Sequence, residues 1–248
     1  LIVTKTEGVP FFIEEFVKSL QDLKAIRSEH GRISLEGDLE SLAIPSTIQD
    51  MILARVDRLP DPAKAVLQAG SVIERKFTHE LIGKVSGLPE QELLPQLTAL
   101  KDAALLYARG IPPQTSYIFR HALTREVVYD SILALRRKAL HAEIGQAIET
   151  LHKDDLTEHY EILAEHFSES GNYLQAAEYS KRSARKAEKS ASLPDAINHS
   201  RKRVQFLEKS AESHDLGKEL TDARTVLGLY LIQMHYPLEA KRAIEPVA

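Results

Sequence analysis

The spacing of apolar residues predicts helices along most of this chain. Behind Pro10, the side chains of Phe12, Phe16 and Leu20 stand four positions apart, so they would form one apolar stripe along a helix. The same period returns in later stretches, each of which begins with a residue that can cap a helix or occupy its first turn. The predicted starts are Ser46, with Gln49 completing a capping box, and then Asp61, Thr78 and Pro89.

The pattern changes to that of β-strands between residues 104 and 119. Residues 104–109 and 117–119 are short β-like runs, and a turn-rich loop containing Gly110 joins them. Residues 31–37 form a further short extended segment. Helices followed by a two-stranded hairpin are the order of a winged helix-turn-helix, so we predict a winged-helix-like module at residues 60–133.

Small and aromatic residues recur in the C-terminal part of the chain. The spacing of Ala164, Phe167, Gly171, Tyr173 and Ala176 resembles a tetratricopeptide repeat, in which small residues let paired helices approach closely. The weaker copies consist of Ala187, Leu193 and Ala196, and of Gly228, Leu231, Tyr236 and Ala240. We therefore predict a mainly α fold that ends in an α-solenoid of tetratricopeptide-like helix pairs over residues 134–248. We expect this array to be truncated, because its last unit reaches Ala248 without a capping helix.

Composition narrows the class of protein but not its function. A length of 248 residues fits two modest domains better than one. The chain has no cysteine, which excludes a disulfide framework, a thiolate zinc site and a cysteine nucleophile. The first residues lack the pattern of a secretory signal, and no apolar stretch is long enough for a bilayer. We therefore predict a cytoplasmic protein without membrane contact.

The formal net charge of −4 is the average of two opposed blocks. Residues 154–169 contain six acidic residues and no lysine or arginine, whereas residues 181–203 contain eight basic and two acidic residues. Mutual neutralisation between neighbouring repeats is one interpretation. The other is a basic face that docks an acidic partner or a nucleic acid. The residues of that predicted face are Lys181, Arg182, Arg185, Lys186, Arg201, Lys202 and Arg203.

The sequence motifs of common catalytic and metal sites are missing. Gly83-Lys84 and Gly217-Lys218 are the Gly-Lys pairs of the chain, and each lacks both the following Ser or Thr and the leading glycine of a phosphate-binding loop. His159 and His166 are about two helical turns apart, too far to share one ion. We expect no catalytic residues, no metal and no cofactor in this chain.

A DNA-binding role is also disfavoured. The helix in the position of a recognition helix, residues 89–100, offers Glu90, Gln91, Glu92 and Gln96 but no basic residue. The wing loop at residues 110–116 has no basic residue either. Two glutamates would repel a polyanion, so we predict that this module packs against protein.

Several stretches together resemble a known family. They are residues 6–16 (TEGVPFFIEEF), 44–49 (IPSTIQ), 54–59 (ARVDRL) and 117–129 (YIFRHALTREVVY). In this order they resemble the region that follows the nucleotide-binding core in bacterial multidomain signalling ATPases of the STAND type. The likeness is greatest to those that carry a class III adenylate/guanylate cyclase domain and a tetratricopeptide array.

This resemblance implies a regulatory and protein-interaction fragment of a cyclase-linked ATPase, without its own catalytic centre. Residues 1–59 would be lid helices, and Gly8, Pro10 and Phe11 match the family's nucleotide-sensing Gly-Asn-Pro-Phe segment, with Val9 in place of Asn. The presence of Pro10 can also be explained without a nucleotide, because proline is favoured in the first turn of a helix. ATP and Mg²⁺ would bind the parent's upstream core, and the partners would be that core and a protein on the repeats. The alternatives are a fragment of a STAND-type transcriptional regulator and a stand-alone tetratricopeptide adaptor.

Overall fold

In the computed structural model, residues 10–22, 26–29, 32–35, 47–111, 114–211 and 216–245 are described. They divide into two compact units, Leu1–Leu133 and Ala134–Ala248. The described residues are mainly helical with two small antiparallel sheets, which confirms the predicted mainly α fold class at this level. None of the described helices is both long and apolar enough to cross a membrane.

The first unit combines helices with two small sheets. Its elements are α1 (Pro10–Asp22), β1 (Ile26–Glu29), β2 (Arg32–Leu35), α2 (Ile48–Asp57), α3 (Asp61–Ile73), β3 (Lys76–Thr78), α4 (His79–Ser86), α5 (Glu90–Asp102), β4 (Leu106–Arg109), β5 (Ser116–Phe119) and α6 (Ala122–Asp130). Strands β1 and β2 pair antiparallel; β2 lies within the predicted extended segment at residues 31–37, whereas β1 precedes it and was not predicted. The predicted lid helix α2 and the helices of the predicted winged-helix module share this unit, because α2 packs on α6.

Two predicted helix starts illustrate local control by capping. Thr78 caps α4, since its hydroxyl accepts a hydrogen bond from the amide of Leu81 at 3.2 Å. The cap of α2 is Thr47, one residue later than predicted, and it accepts from the amide of Asp50 at 3.1 Å. The predicted cap Ser46 lies outside the described residues. Either of two adjacent residues with a hydroxyl group can cap a helix, so the sequence alone leaves the first residue of the helix uncertain by one position.

The second sheet has three strands, not the predicted two. Its order is β3-β5-β4, all antiparallel, so that Ile118 of β5 lies between Lys76 and Tyr107. The hairpin of β4 and β5 matches the prediction, but β3 was missed because three residues are too short to show a period. Phe77 is the only buried residue of β3, and its ring packs on the backbone of α3: a Cβ at Gly70 would lie 2.7 Å from that ring. This contact fixes the sheet against the central helix of the unit.

The second unit is a succession of helices. They are α7 (Ala134–Leu151), α8 (Tyr160–Ser170), α9 (Tyr173–Lys189), α10 (Leu193–Ala211), α11 (Gly217–Gln233) and α12 (Pro237–Ile244), with a 3₁₀ turn at Thr157–His159 before α8. Each helix packs against the next in chain order. Packing of this kind places residues of non-adjacent helices along continuous surfaces.

One turn geometry recurs three times in this unit. Gly171, Ala191 and His235 have positive φ angles of 87°, 57° and 60° and end α8, α9 and α11. In each case the next amide donates to the carbonyl five residues back, as in a Schellman motif; these bonds are Asn172 to Phe167 at 2.8 Å, Ser192 to Ala187 at 2.9 Å and Tyr236 to Leu231 at 2.8 Å. A buried alanine follows five positions after each turn residue: Ala176, Ala196 and Ala240. These are the positions at which the sequence showed internal similarity.

Candidate functional site

The predicted nucleotide-sensing residues lie at the start of the described chain. Gly8 lies outside the described residues. Pro10 is the first residue of α1 and is exposed, and Phe11 is the second. The position of Pro10 agrees with its expected use as a helix starter. A role in sensing nucleotide stays a prediction.

The seven cations of the predicted basic face are not all directed to one surface. Four of them form salt bridges, namely Arg182 with Glu178 at 2.9 Å, Lys186 with Glu158 at 2.8 Å, Arg201 with Glu239 at 2.5 Å and Arg203 with Asp222 at 2.7 Å. The Lys186–Glu158 pair joins the basic block to the acidic block, as mutual neutralisation would require. The acidic partners of Arg201 and Arg203 lie on later helices instead. Lys202 is exposed on α10.

Lys181, Arg185 and Arg203 do come together, around a cleft of about 240 Å³. Lys181, Arg185 and Glu188 are spaced four and three residues apart, which places them on one face of α9. The same spacing places Asp222, Val226 and Leu229 on one face of α11. These two faces form walls of the cleft, and Arg203 of α10 completes its polar lining.

The acidic residues of the cleft are already engaged. Arg203 is buried, with 6% of its surface exposed, and its guanidinium donates to the carboxylate of Asp222. That hydrogen bond, and the charges of Arg203, Lys181 and Arg185, hold the pKa of Asp222 below its usual value. The carboxylate therefore remains ionised and compensates the buried guanidinium.

Glu188, on the face of α9 that lines the cleft, is held by a residue of α11. The hydroxyl of Tyr230 donates to its carboxylate at 2.8 Å. Burial, together with this hydrogen bond and the charge of Glu188, raises the pKa of Tyr230 to about 12. Among the described residues, Lys181 and Arg185 then remain without a hydrogen bond or salt bridge.

Two histidine pairs form in the same unit. The Nδ1 atoms of His141 and His166 are 2.9 Å apart, and both side chains are buried. Burial, and secondarily the neighbouring imidazole, lower the pKa of His166 to about 3, so this ring is neutral at physiological pH. The rings of His152 and His159 stack with their centroids 3.8 Å apart. Sequence reasoning missed both pairs, because their members lie on different elements.

These pairs do not amount to a metal centre. In the described part of the chain, no group of three or more His, Cys, Asp or Glu side chains is placed to hold an ion. The His141–His166 contact instead satisfies the Nδ1 atoms of both buried rings, whereas Nε2 of His166 is buried without a hydrogen-bond partner.

The exposed surface of α5 carries the acidic character that the sequence predicted. Glu90, Gln91 and Glu92 are exposed in its first turn, and Gln96 is partly exposed one turn later. Glu90 lies 2.9 Å from Nε2 of His79, at the start of α4. This surface offers oxygen acceptors and little positive charge, which is the opposite of what a DNA backbone requires.

Comparison with known proteins identifies a distant relative of part of this chain. No family model matches this chain. The uncharacterized protein R02095 of Rhizobium meliloti (strain 1021) is 23% identical over 141 residues, which are 57% of this chain and 13% of that protein. The chain thus spans a small part of the length of this relative.

The signal for the cleft was only partly present in the sequence. The spacing of Lys181 and Arg185 indicates a shared helix face, and both belong to the predicted basic face. Glu188, Asp222 and Tyr230 were not predicted, because their positions beside these cations depend on how α9 and α11 pack.

Proposed function

We propose that this chain is the regulatory and protein-interaction region of a multidomain nucleotide-dependent signalling protein, and that it has no catalytic centre of its own. The observation that carries this proposal is the second unit, in which successive helices pack in chain order and one turn geometry recurs three times. Such stacking is typical of tetratricopeptide arrays, which bind other proteins on their continuous surfaces.

The order of elements in the first unit supports a winged-helix module. From α3 to β5 the chain runs helix, strand, helix, helix, strand, strand, and the first strand pairs with the last. In this arrangement α5 takes the place of the recognition helix. Because Glu90 and Glu92 are exposed on α5, the module packs on protein surfaces rather than reading DNA.

The parent protein would be a STAND ATPase linked to a class III adenylate or guanylate cyclase domain. The motifs from residue 6 to residue 129 support this through their resemblance to that family. In such a parent, ATP and Mg²⁺ bind the upstream core, and Gly8, Pro10 and Phe11 lie where the lid meets the nucleotide. Nucleotide exchange or a partner on the repeats would then shift the balance between restrained and active states.

The proposal is tested first by the reading frame upstream of Leu1 and then by nucleotide response. We expect phosphate-binding and Mg²⁺-binding motifs of an ATPase upstream, preceded by a cyclase domain. When that core is expressed together with this chain, ATP should slow amide hydrogen exchange in α1 relative to ADP.

Matched proline variants make this experiment specific. Pro10→Ala should weaken the ATP-dependent protection of α1, whereas Pro62→Ala, in the first turn of α3, should leave it unchanged. An upstream DNA-binding domain would favour the transcriptional regulator. The absence of any nucleotide-binding segment, or an exchange rate indifferent to ATP, would contradict the proposal.

A further inference from the structure

The cleft between α9, α10 and α11 has an uneven charge balance. Its cations are Lys181, Arg185 and Arg203, and its anions are Glu188 and Asp222. Arg203 and Asp222 neutralise one another, and Glu188 accepts the hydrogen bond of Tyr230. Lys181 and Arg185 are one helical turn apart on α9, and both line the cleft. Two cations therefore face a space in which one carboxylate remains to offset them.

The cleft also has an apolar side. Val226 and Leu229 line it from α11, and Leu229 is 54% exposed. An exposed leucine beside paired cations provides a surface for an apolar side chain next to a negative group. A volume of about 240 Å³ accommodates a few side chains of a longer ligand rather than a whole cofactor.

We propose that this cleft binds an acidic peptide segment, whose carboxylate is held by Lys181 and Arg185. An apolar side chain next to that carboxylate lies on Leu229. This inference rests on the proposed protein-interaction function and names the chemistry of the partner.

The anionic groups of the cleft select a carboxylate over a polyphosphate. A nucleic-acid backbone carries a charge at every residue, so it would bring successive phosphates near Glu188 and Asp222. A single carboxylate between two cations meets no such repulsion, and its charge-assisted hydrogen bonds are short and strong. The leucine on the rim adds no affinity for phosphate, but it does for a peptide side chain.

The test uses the full chain and a short fluorescein-labelled peptide that carries one glutamate next to a leucine among uncharged residues, and binding is followed by fluorescence anisotropy. The double variant Lys181→Ala/Arg185→Ala should weaken binding at least about tenfold, since it removes two charge-assisted contacts. Neither side chain is buried, so the fold should persist, and a far-ultraviolet circular dichroism melt checks this. The Lys181→Gln/Arg185→Gln variant keeps side-chain volume and should lose binding to a similar extent.

A matched control removes charge without touching the cleft. Lys189 and Lys202 are exposed cations on α9 and α10 that do not line the cleft. The variant Lys189→Ala/Lys202→Ala has the same net charge as the cleft variant and should bind within about twofold of the unmodified chain. A peptide with glutamine in place of glutamate should bind weakly and equally to all variants.

Several outcomes would overturn the inference. Equal binding by the cleft and control variants would mean that only net charge attracts the peptide. Displacement of the peptide by inorganic phosphate or ATP, dependent on Lys181 and Arg185, would identify a phosphate site instead. If the cleft fails either test while ATP still protects α1 in the presence of the upstream core, the proposed function survives and only the cleft assignment is lost.

Discussion

The two units of this chain bury different chemistry. In the first unit the largest fully buried side chains are apolar, such as Phe16, Leu67 and Phe119, and two titratable side chains, Arg55 and Tyr117, are buried among the described residues. The described part of the second unit buries six titratable side chains, which are His141, His166, Tyr179, His199, Arg203 and Tyr230. The first unit is therefore held chiefly by removal of apolar surface from water, whereas the second also depends on charge state and hydrogen bonding.

The two units also differ in the charge of their exposed helix faces. Helix α5 exposes Glu90 and Glu92, and helix α9 directs Lys181 and Arg185 into a cleft. We therefore expect an anionic ligand to be repelled by this surface of the first unit and attracted to the cleft of the second, although the net charge of the chain is small. A charge average over the chain conceals this difference, which appears only at the level of individual helix faces.

The largest expected effect tests whether the two units are stabilised independently. Phe119 and Phe167 are both fully buried, one in each unit. Truncation of either side chain to alanine should lower the free energy of unfolding of its unit by about 3–5 kcal/mol, because a large cavity remains. We expect Phe119→Ala to destabilise the first unit and Phe167→Ala the second, as measured by denaturant-dependent hydrogen exchange of core amides in each unit. The control Leu135→Ala, at a position 84% exposed, should cost little.

Equal loss of protection in both units for either phenylalanine variant would contradict independent stability. In that case the boundary at Leu133 would not separate two units that unfold independently.

A smaller effect should distinguish the units by their response to acid. Burial lowers the pKa of His166 to about 3, whereas an unfolded histidine titrates near ~6.5. Below pH ~6.5 the unfolded chain takes up a proton at this histidine that the folded chain does not. The free energy of unfolding of the second unit should therefore fall by about 1.4 kcal/mol per pH unit as the pH falls toward 3. At pH 5 this amounts to about 2 kcal/mol, measured by urea unfolding across that range.

Asparagine provides a suitable replacement for this histidine. Its amide occupies the place of Nδ1, so His166→Asn can retain the hydrogen bond to His141 without titrating. This variant should flatten the pH dependence of the second unit, whereas His235→Asn, at an exposed turn, should not. An unchanged pH slope in His166→Asn would show that other groups control acid stability.

Sequence reasoning succeeded where structure follows from neighbours along the chain. The helical period, the hairpin of β4 and β5, the cap Thr78 and the recurring buried alanines Ala176, Ala196 and Ala240 are local features. Each depends on a few residues whose spacing is visible without a fold.

It failed where a residue's role depends on a distant partner. The strand β3 exists because Phe77 can pack on Gly70 and pair with β5, and its three residues carry no pattern of their own. Likewise, adjacent Arg185 and Lys186 look alike in the sequence, but Lys186 pairs with Glu158 and Arg185 lines the cleft. Adjacent side chains on a helix point about 100° apart around its axis. The packing of α9 therefore decides which of the two cations faces the cleft.

The smallest expected effect is a gain in stability that should be the same in both units. Ala104 in the first unit and Ala191 in the second have positive φ angles of 52° and 57°, where a Cβ is unfavourable. Glycine removes this strain but loses more entropy on folding, so each Ala→Gly change should stabilise its own unit by a net of about 0.5–1 kcal/mol. Gly171 already occupies the equivalent turn one helix earlier than Ala191, with a φ of 87°. The reverse sign is expected for Ala142→Gly within α7, because helical φ gives glycine no advantage there. Urea unfolding of the three variants measures these changes in the free energy of unfolding. Backbone strain at positive φ does not depend on the chemistry of the surrounding core. A stability gain in only one of the two units would therefore mean that the packing around these turns, and not φ, sets their energy.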